Sequence, residues 1–315
     1  MREVAQHEVS EKRVTEALDG IGRRAFGHWH NMRYGSFGLD RLRDMRDDLL
    51  DHVAARSLSV PELDDASRVA LRTAAECSLG VISLGCYPNG DQEIVFPLVG
   101  EELTSEETAF ADIVDEAPTA RTWLDTFAAV MVSGLVWDRQ RVIGLLLRED
   151  YAPSIRDGLP YATLTSASEP ADLAAMDALC GYLTRASGHL PRDWPAVPLR
   201  KPAPEERAEA ARRLDVAGEL TPDQRLLRVL LDDEQTAFEQ ALVNRLVAHR
   251  ESLDADPAPR TLLPLEPLAL AALAVQVHGW ELRVRSGYLP QGIVGRTDAL
   301  QRGGDTGRND LGPAR

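Results

Sequence analysis

Four groups of residues have types and spacings that could do chemistry. His28 and His30 flank Trp29 and offer two imidazoles to a metal ion. Residues two apart on a helix point to nearly opposite sides, and the His-Glu-x-x-His spacing that sets two ligands on one face does not occur. Cys180 and His189 could form a thiolate nucleophile and its base, yet nine residues separate them and no nucleophile signature surrounds the cysteine. Gly20, Gly22 and Gly27 match neither the dinucleotide nor the Walker glycine spacing. Adjacent acids at 47–48, 64–65, 101–102, 106–107 and 115–116 could furnish the two carboxylates of a hydrolase. With 50 Asp and Glu in 315 residues such pairs arise by chance. No residue is therefore assigned to catalysis, to a cofactor or to a metal.

One charge feature is sharper. Glu101, Glu102, Glu106, Glu107, Asp112, Asp115 and Glu116 crowd a stretch without a single Lys or Arg. Leu103, Phe110, Ile113 and Val114 are interleaved and could anchor the stretch on the protein body. An acidic face of this kind steers a basic partner and speeds its capture. These seven acids are the expected partner-binding residues. The competing reading is a solubilising surface segment leading into a helix start, where acids are favoured by the helix dipole.

The elements that must carry these residues are helical. Trp123, Leu124, Phe127, Met131 and Leu135 recur at three- and four-residue steps. Thr119 is a suitable cap for that helix, and Thr221, Pro222 and Gln224 form a strong start signal for another. The stripe Leu226, Leu227, Leu230 and Leu231 is followed by Asp232, Asp233 and Glu234. A second stripe, Phe238, Leu242 and Leu246, then predicts a helix hairpin. Residues 265–277 are apolar nearly all round and read as a buried central helix. Further helices are expected near 10–30, 40–57, 65–84, 139–149, 170–185 and 204–217. Only 92–96 and 282–285 read as extended. The fold class is all-α, a multi-helix bundle or a short solenoid-like array of antiparallel helix pairs. Five prolines in 190–204 predict a crossover at 191–204, between a lobe at 1–190 and another at 205–290. The Gly-rich stretch 291–315 reads as a disordered tail.

Composition narrows the classes. A net charge of −15, from 35 Lys and Arg against 50 acids, argues against sequence-independent nucleic-acid binding. At 44% hydrophobic residues, disorder of the whole chain is excluded. The longest uncharged runs, 77–90 and 267–280, fall short of the roughly 20 residues a bilayer requires, so no membrane is expected as a partner. Three cysteines, Cys77, Cys86 and Cys180, fit reduced thiols, and the acid-bearing N-terminus does not read as a signal peptide. The expected location is the cytoplasm.

Several phrases stand together in a recognisable order: RTAAECSLG at 72–80, GDQEIVFP at 90–97, TARTWLD at 119–125 and GLVWDRQRVIG at 134–144. LPRDWP at 190–195 and RLLRVLLDD at 225–233 follow. Over about residues 1–290 the chain resembles the immunity 49 family, predicted immunity proteins of bacterial polymorphic toxin systems, known especially in actinobacteria. That resemblance implies a mostly α-helical cytosolic protein that binds and neutralises a cognate toxin domain, with no catalysis of its own and no cofactor. It supplies no binding residues. The rival readings are a helical scaffold with a non-toxin partner and an all-α hydrolase using paired carboxylates.

Overall fold

The computed structural model describes residues 2–60, 62–110, 114–138, 140–158 and 164–303. The first expected helix, 10–30, is two helices. Gly20 sits at φ +53°, in the left-handed region that costs glycine least, and turns the chain between α1 (Glu11–Leu18) and α2 (Ile21–Tyr34). Arg24 holds the corner: it donates to the carbonyls of Glu16 and Asp19, to that of Ala17 at 3.0 Å, and to Asp48 of α3 (Leu39–Ser57) at 2.9 Å.

Next comes α4 (Asp65–Cys86), started by Asp64, whose carboxylate accepts the Ser67 N–H at 2.9 Å. Among the described residues α4 alone is long and apolar enough to cross a membrane, and 16 of its 22 residues are buried inside the protein. It lies against α3 and α5 (Ala120–Val132), the latter begun by the expected Thr119 cap. β2 (Glu93–Phe96) and β3 (Glu101–Thr104) form an antiparallel hairpin on α4. The hairpin comes close because Gly80 has no side chain; a methyl there would stand 3.0 Å from Ile94 and 3.1 Å from Leu42. After a 3₁₀ turn at Leu135–Trp137, α6 (Ile143–Leu145) widens into a π-helical stretch, Leu146–Tyr151, and continues as α7 (Ala152–Asp157).

After α8 (Pro170–Cys180), an antiparallel bridge joins Leu183 to Leu199 across the proline-rich stretch. α9 (Pro204–Val216), α10 (Pro222–Leu231) and α11 (Gln235–Glu251) follow, α10 and α11 packing as the predicted hairpin. α12 (Leu265–Gln276) is buried from Pro267 onward and packs on α5. β4 (Val284–Ser286) pairs in parallel with β1 (Arg2–Val4), joining segments some 280 positions apart. Residues 291–303, read from sequence as the start of a disordered tail, are instead ordered onto the body. α13 (Gln291–Val294) buries Ile293 and Val294, apolar residues in a largely polar, Gly-rich stretch, and Leu300 also packs on the core. Residues 304–315 of that tail lie outside the described residues. The described residues are 60% helical and 5% strand. Its apolar core is one continuous cluster that includes Trp123 and Phe127 from α5, Leu227 from α10 and Leu273 from α12.

A half-buried polar junction borders this core. Asp233, in the turn between α10 and α11, has φ +60°, a region Asp tolerates better than most residues. Its carboxylate accepts from Lys201 Nζ at 2.7 Å, Arg207 Nη2 at 2.9 Å and His278 Nδ1 at 2.6 Å. The other nitrogen of His278 accepts from the Tyr182 hydroxyl, 2.9 Å away. Burial pushes the Asp233 carboxyl up, but the hydrogen bonds from Lys201 and His278 outweigh it and hold the group ionised. Burial takes His278 down to about 4, assisted by the nearby Lys201 and Arg207 charges and opposed by Asp233.

Removing one partner of such a junction strands the others, so Asp233→Ala should cost about 3 kcal/mol in urea unfolding. A buried neutral His with a lowered pKa stabilises fully above about pH 6.5, and that contribution fades as pH falls toward 4. In a pH series of unfolding free energies, His278→Gln should therefore flatten the acid slope by about one proton, roughly 1.4 kcal/mol per pH unit.

Candidate partner-binding surface

Helical spacing sets Phe26, His30 and Tyr34 on one face of α2, four residues apart. Phe26 is 48% exposed and Tyr34 67%, unusual for rings of this size, and His30 is exposed between them. Ring centroids lie 6.1 Å apart for Phe26 and His30 and 4.9 Å apart for His30 and Tyr34, so the three make one ridge. Trp29 supports it from beneath. Its indole is buried, lies 5.4 Å from the Phe26 ring and 6.0 Å from the Tyr34 ring, and donates Nε1–H to the carbonyl of Glu102 at 3.2 Å.

That hydrogen bond joins the ridge to the acidic segment. Leu103 and Phe110 are buried and anchor the segment as expected, Phe110 meeting the edge of Phe37 at 5.1 Å. Of the seven expected acids, Glu101 and Glu102 are exposed on β3, and Glu106 is exposed in the turn after it. Asp115 is also exposed. None of these four has an ion pair among the described residues. Glu107 does: Arg33 of α2 bonds its carboxylate and holds it below the usual range, while the Arg33 guanidinium lies 5.9 Å from the Tyr34 ring centroid. Glu116 is ion-paired with Arg43 of α3. Asp112 lies outside the described residues. Glu102 and Glu107 thus contact α2 beside the aromatic ridge, with Glu101 and Glu106 next to them along the chain, whereas Glu116 is paired with α3.

The other chemical candidates resolve into structural roles. His28 stands 3.7 Å from Asp48, while His30 faces Phe26 and Tyr34, so the two imidazoles look in different directions. Among the described residues no three His, Cys, Asp or Glu are grouped to hold a metal ion. All three thiols are buried and unpaired, and burial pushes Cys86 and Cys180 up to about 12, away from nucleophilic thiolate chemistry.

Carboxylates do converge at Glu266 of α12. Arg121 bonds Glu266 and also Asp125 at 2.7 Å; Arg245 holds Asp223 at 2.6 Å and Gln224 donates to Asp172 at 2.7 Å. Burial, then the charge of Asp223, raise the Glu266 carboxyl to about 7 against the pull of Arg121. The adjoining cavity measures about 20 Å³, room for one water and not for a hydrolase substrate.

Fold and surface together define a class: a mostly helical protein that presents an aromatic ridge bordered by unpaired acids. The profile of Immunity protein 49 matches residues 58–293, well over half of the chain, and the chain belongs to that family. No curated protein and no solved structure gives a match. The match takes in the acidic segment and the Asp233 junction; α2 and its ridge precede it.

Because Glu266 has a raised pKa in the folded protein, its ionisation costs stability as pH rises from about 4.5 to 7. Glu266→Gln removes that cost. Its stability relative to the parent should grow by at least about 1 kcal/mol between pH 5 and pH 8, measured by urea unfolding at each pH.

Proposed function

We propose that the chain is a non-enzymatic immunity protein that binds a cognate toxin domain of a bacterial polymorphic toxin system and neutralises it in the cytoplasm. Membership of the Immunity protein 49 family carries this reading. The surface gives it a physical form. Glu101, Glu102, Glu106 and Asp115 attract a basic toxin face at long range, and Phe26 and Tyr34 then enter it and lose their exposed ring area to the partner. Occupying the toxin's active face excludes its substrate, and no bond in either protein has to change.

The test uses the toxin domain encoded beside this gene, co-expressed and purified as a complex. Phe26→Ala with Tyr34→Ala should weaken the complex at least about tenfold, close to 1.4 kcal/mol, chiefly by faster dissociation. Replacing Glu101, Glu102, Glu106 and Asp115 by Lys should instead slow association about tenfold and flatten its salt dependence. Unchanged rates in both variants, with protection intact, would move the toxin to another face. A chain that neither binds the toxin nor protects cells from it would remove the immunity reading itself.

A further inference from the structure

The protein carries 15 more acids than bases, yet one cleft reverses that sign. It lies between the helical stretch that ends in α7, α8 and α9, and its volume is about 430 Å³. Arg148, Arg156, Arg185, Arg200, Arg207 and Arg213 line it against four carboxylates. Those carboxylates are already engaged. Asp177 takes Arg156 at 2.7 Å and Arg213 at 3.7 Å, and Glu206 takes Arg200 through two bonds of 2.7 and 2.8 Å. Glu209 takes Arg213 at 2.8 Å and also Arg212, which lies outside the lining; Glu149 lies 3.5 Å from Arg148.

The one lining arginine left without an ion pair among the described residues is Arg185. Arg185 is exposed and makes no hydrogen bond or ion pair among the described residues. Arg207 is only 9% exposed and its Nε–H finds no acceptor, although its terminal nitrogens reach Pro202 at 2.6 Å and Asp233 at 2.9 Å. Arg148, buried against the carbonyls of Cys180 and Leu183, is pushed below the usual guanidinium range by that burial and then by the facing charges of Arg185 and Arg200. Guanidinium forks match the oxygens of phosphate groups, and several of them converging from three walls select a compact anion of more than one charge. The volume exceeds that of a single phosphate group. No aromatic ring lines the cleft to stack a nucleobase.

We propose that this cleft is a binding site for a free, multiply charged oxyanion of the pyrophosphate class. The anion would sit against Arg185 and Arg148 and bridge α8, the crossover and α9. The site is independent of the toxin-binding reading and draws on none of its residues. Titration calorimetry of the full chain with sodium pyrophosphate at constant ionic strength should give saturable one-to-one binding, accompanied by a rise in Tm.

Arg185→Gln should weaken that binding at least tenfold and leave the Tm of the anion-free protein unchanged, since Arg185 bonds nothing in the fold. Arg156→Gln, on the α7 side, should weaken it less, and Arg41→Gln, an exposed arginine of α3, should not alter it. Orthophosphate and adenosine diphosphate should compete less well than pyrophosphate. Non-saturable pyrophosphate binding, an unchanged constant in Arg185→Gln, or a diphosphonucleoside that binds better than the free anion would overturn the assignment.

Discussion

Asp233 is the constraint on which the arrangement of this protein depends. One carboxylate receives a lysine and an arginine on either side of the α9 start and a histidine just beyond α12, and through that histidine the tyrosine that follows α8. A charge withdrawn from water is tolerated only when such partners replace its hydration, and their directions are far more specific than those of an apolar contact. The junction therefore fixes where α8, α9, the α10–α11 turn and the end of α12 stand relative to one another. The backbone adds a second demand, since φ +60° at this position excludes β-branched and bulky residues. Arg207 links the junction to the basic cleft, because its Nη2 binds Asp233 while the same side chain lines the cleft wall.

The opposite end of the chain is fixed in the same manner by an arginine. Arg24 satisfies carbonyls at the end of α1 and a carboxylate on α3, so α2 leaves the body at a set angle with one face outward. Trp29 then joins that helix to β3 through a single hydrogen bond, which places aromatic rings next to acids that lie more than 70 residues further along. A second strained point, Val142 at φ +45°, follows Arg141, whose guanidinium reaches the buried carboxylate of Glu76 in α4. Burial raises the Glu76 carboxyl, with Arg141 opposing. Arg24 and Arg141 each cross between elements to meet a carboxylate on a neighbouring helix.

Much of this was legible in the sequence, and the rest failed for identifiable reasons. Local signals worked where the cause is local. The Thr119 and Thr221 caps, the α10–α11 hairpin, the buried α12 and the strand at 93–96 all rest on neighbours within four residues. β1 and β3 were not readable, because each is short and owes its existence to a partner elsewhere in the chain. Asp233 read as one acid in a run of three, since nothing near it announces Lys201, Arg207 or His278. The seven-acid segment was visible as charge, yet its neutralisation at Glu107 and Glu116 depends on Arg33 and Arg43, more than 70 positions away. The ridge of Phe26, His30 and Tyr34 has ordinary helical spacing; only the packing of α2 decides that this face meets solvent and not the core.

That difference between charge and exposed rings also sets how a toxin-binding face divides its work. Exposed acids interact through water and salt, and each contributes at most about 1 kcal/mol to a complex. A half-exposed aromatic ring taken out of water contributes about 2 kcal/mol at roughly 25 cal/mol per Å², and it does so only in the final docked geometry. On the proposed reading, the acids of β3 would govern how often a basic partner arrives, and Phe26 and Tyr34 how long it stays. Rigidity favours the rings further. Trp29 is buried beneath the ridge and Arg33, held by Glu107, lies beside Tyr34, and these contacts narrow the freedom the rings would lose on binding. Under the proposed function, specificity for one partner would then come from matching the shape of the ridge, while the surrounding charge would select only the sign of the surface that approaches it.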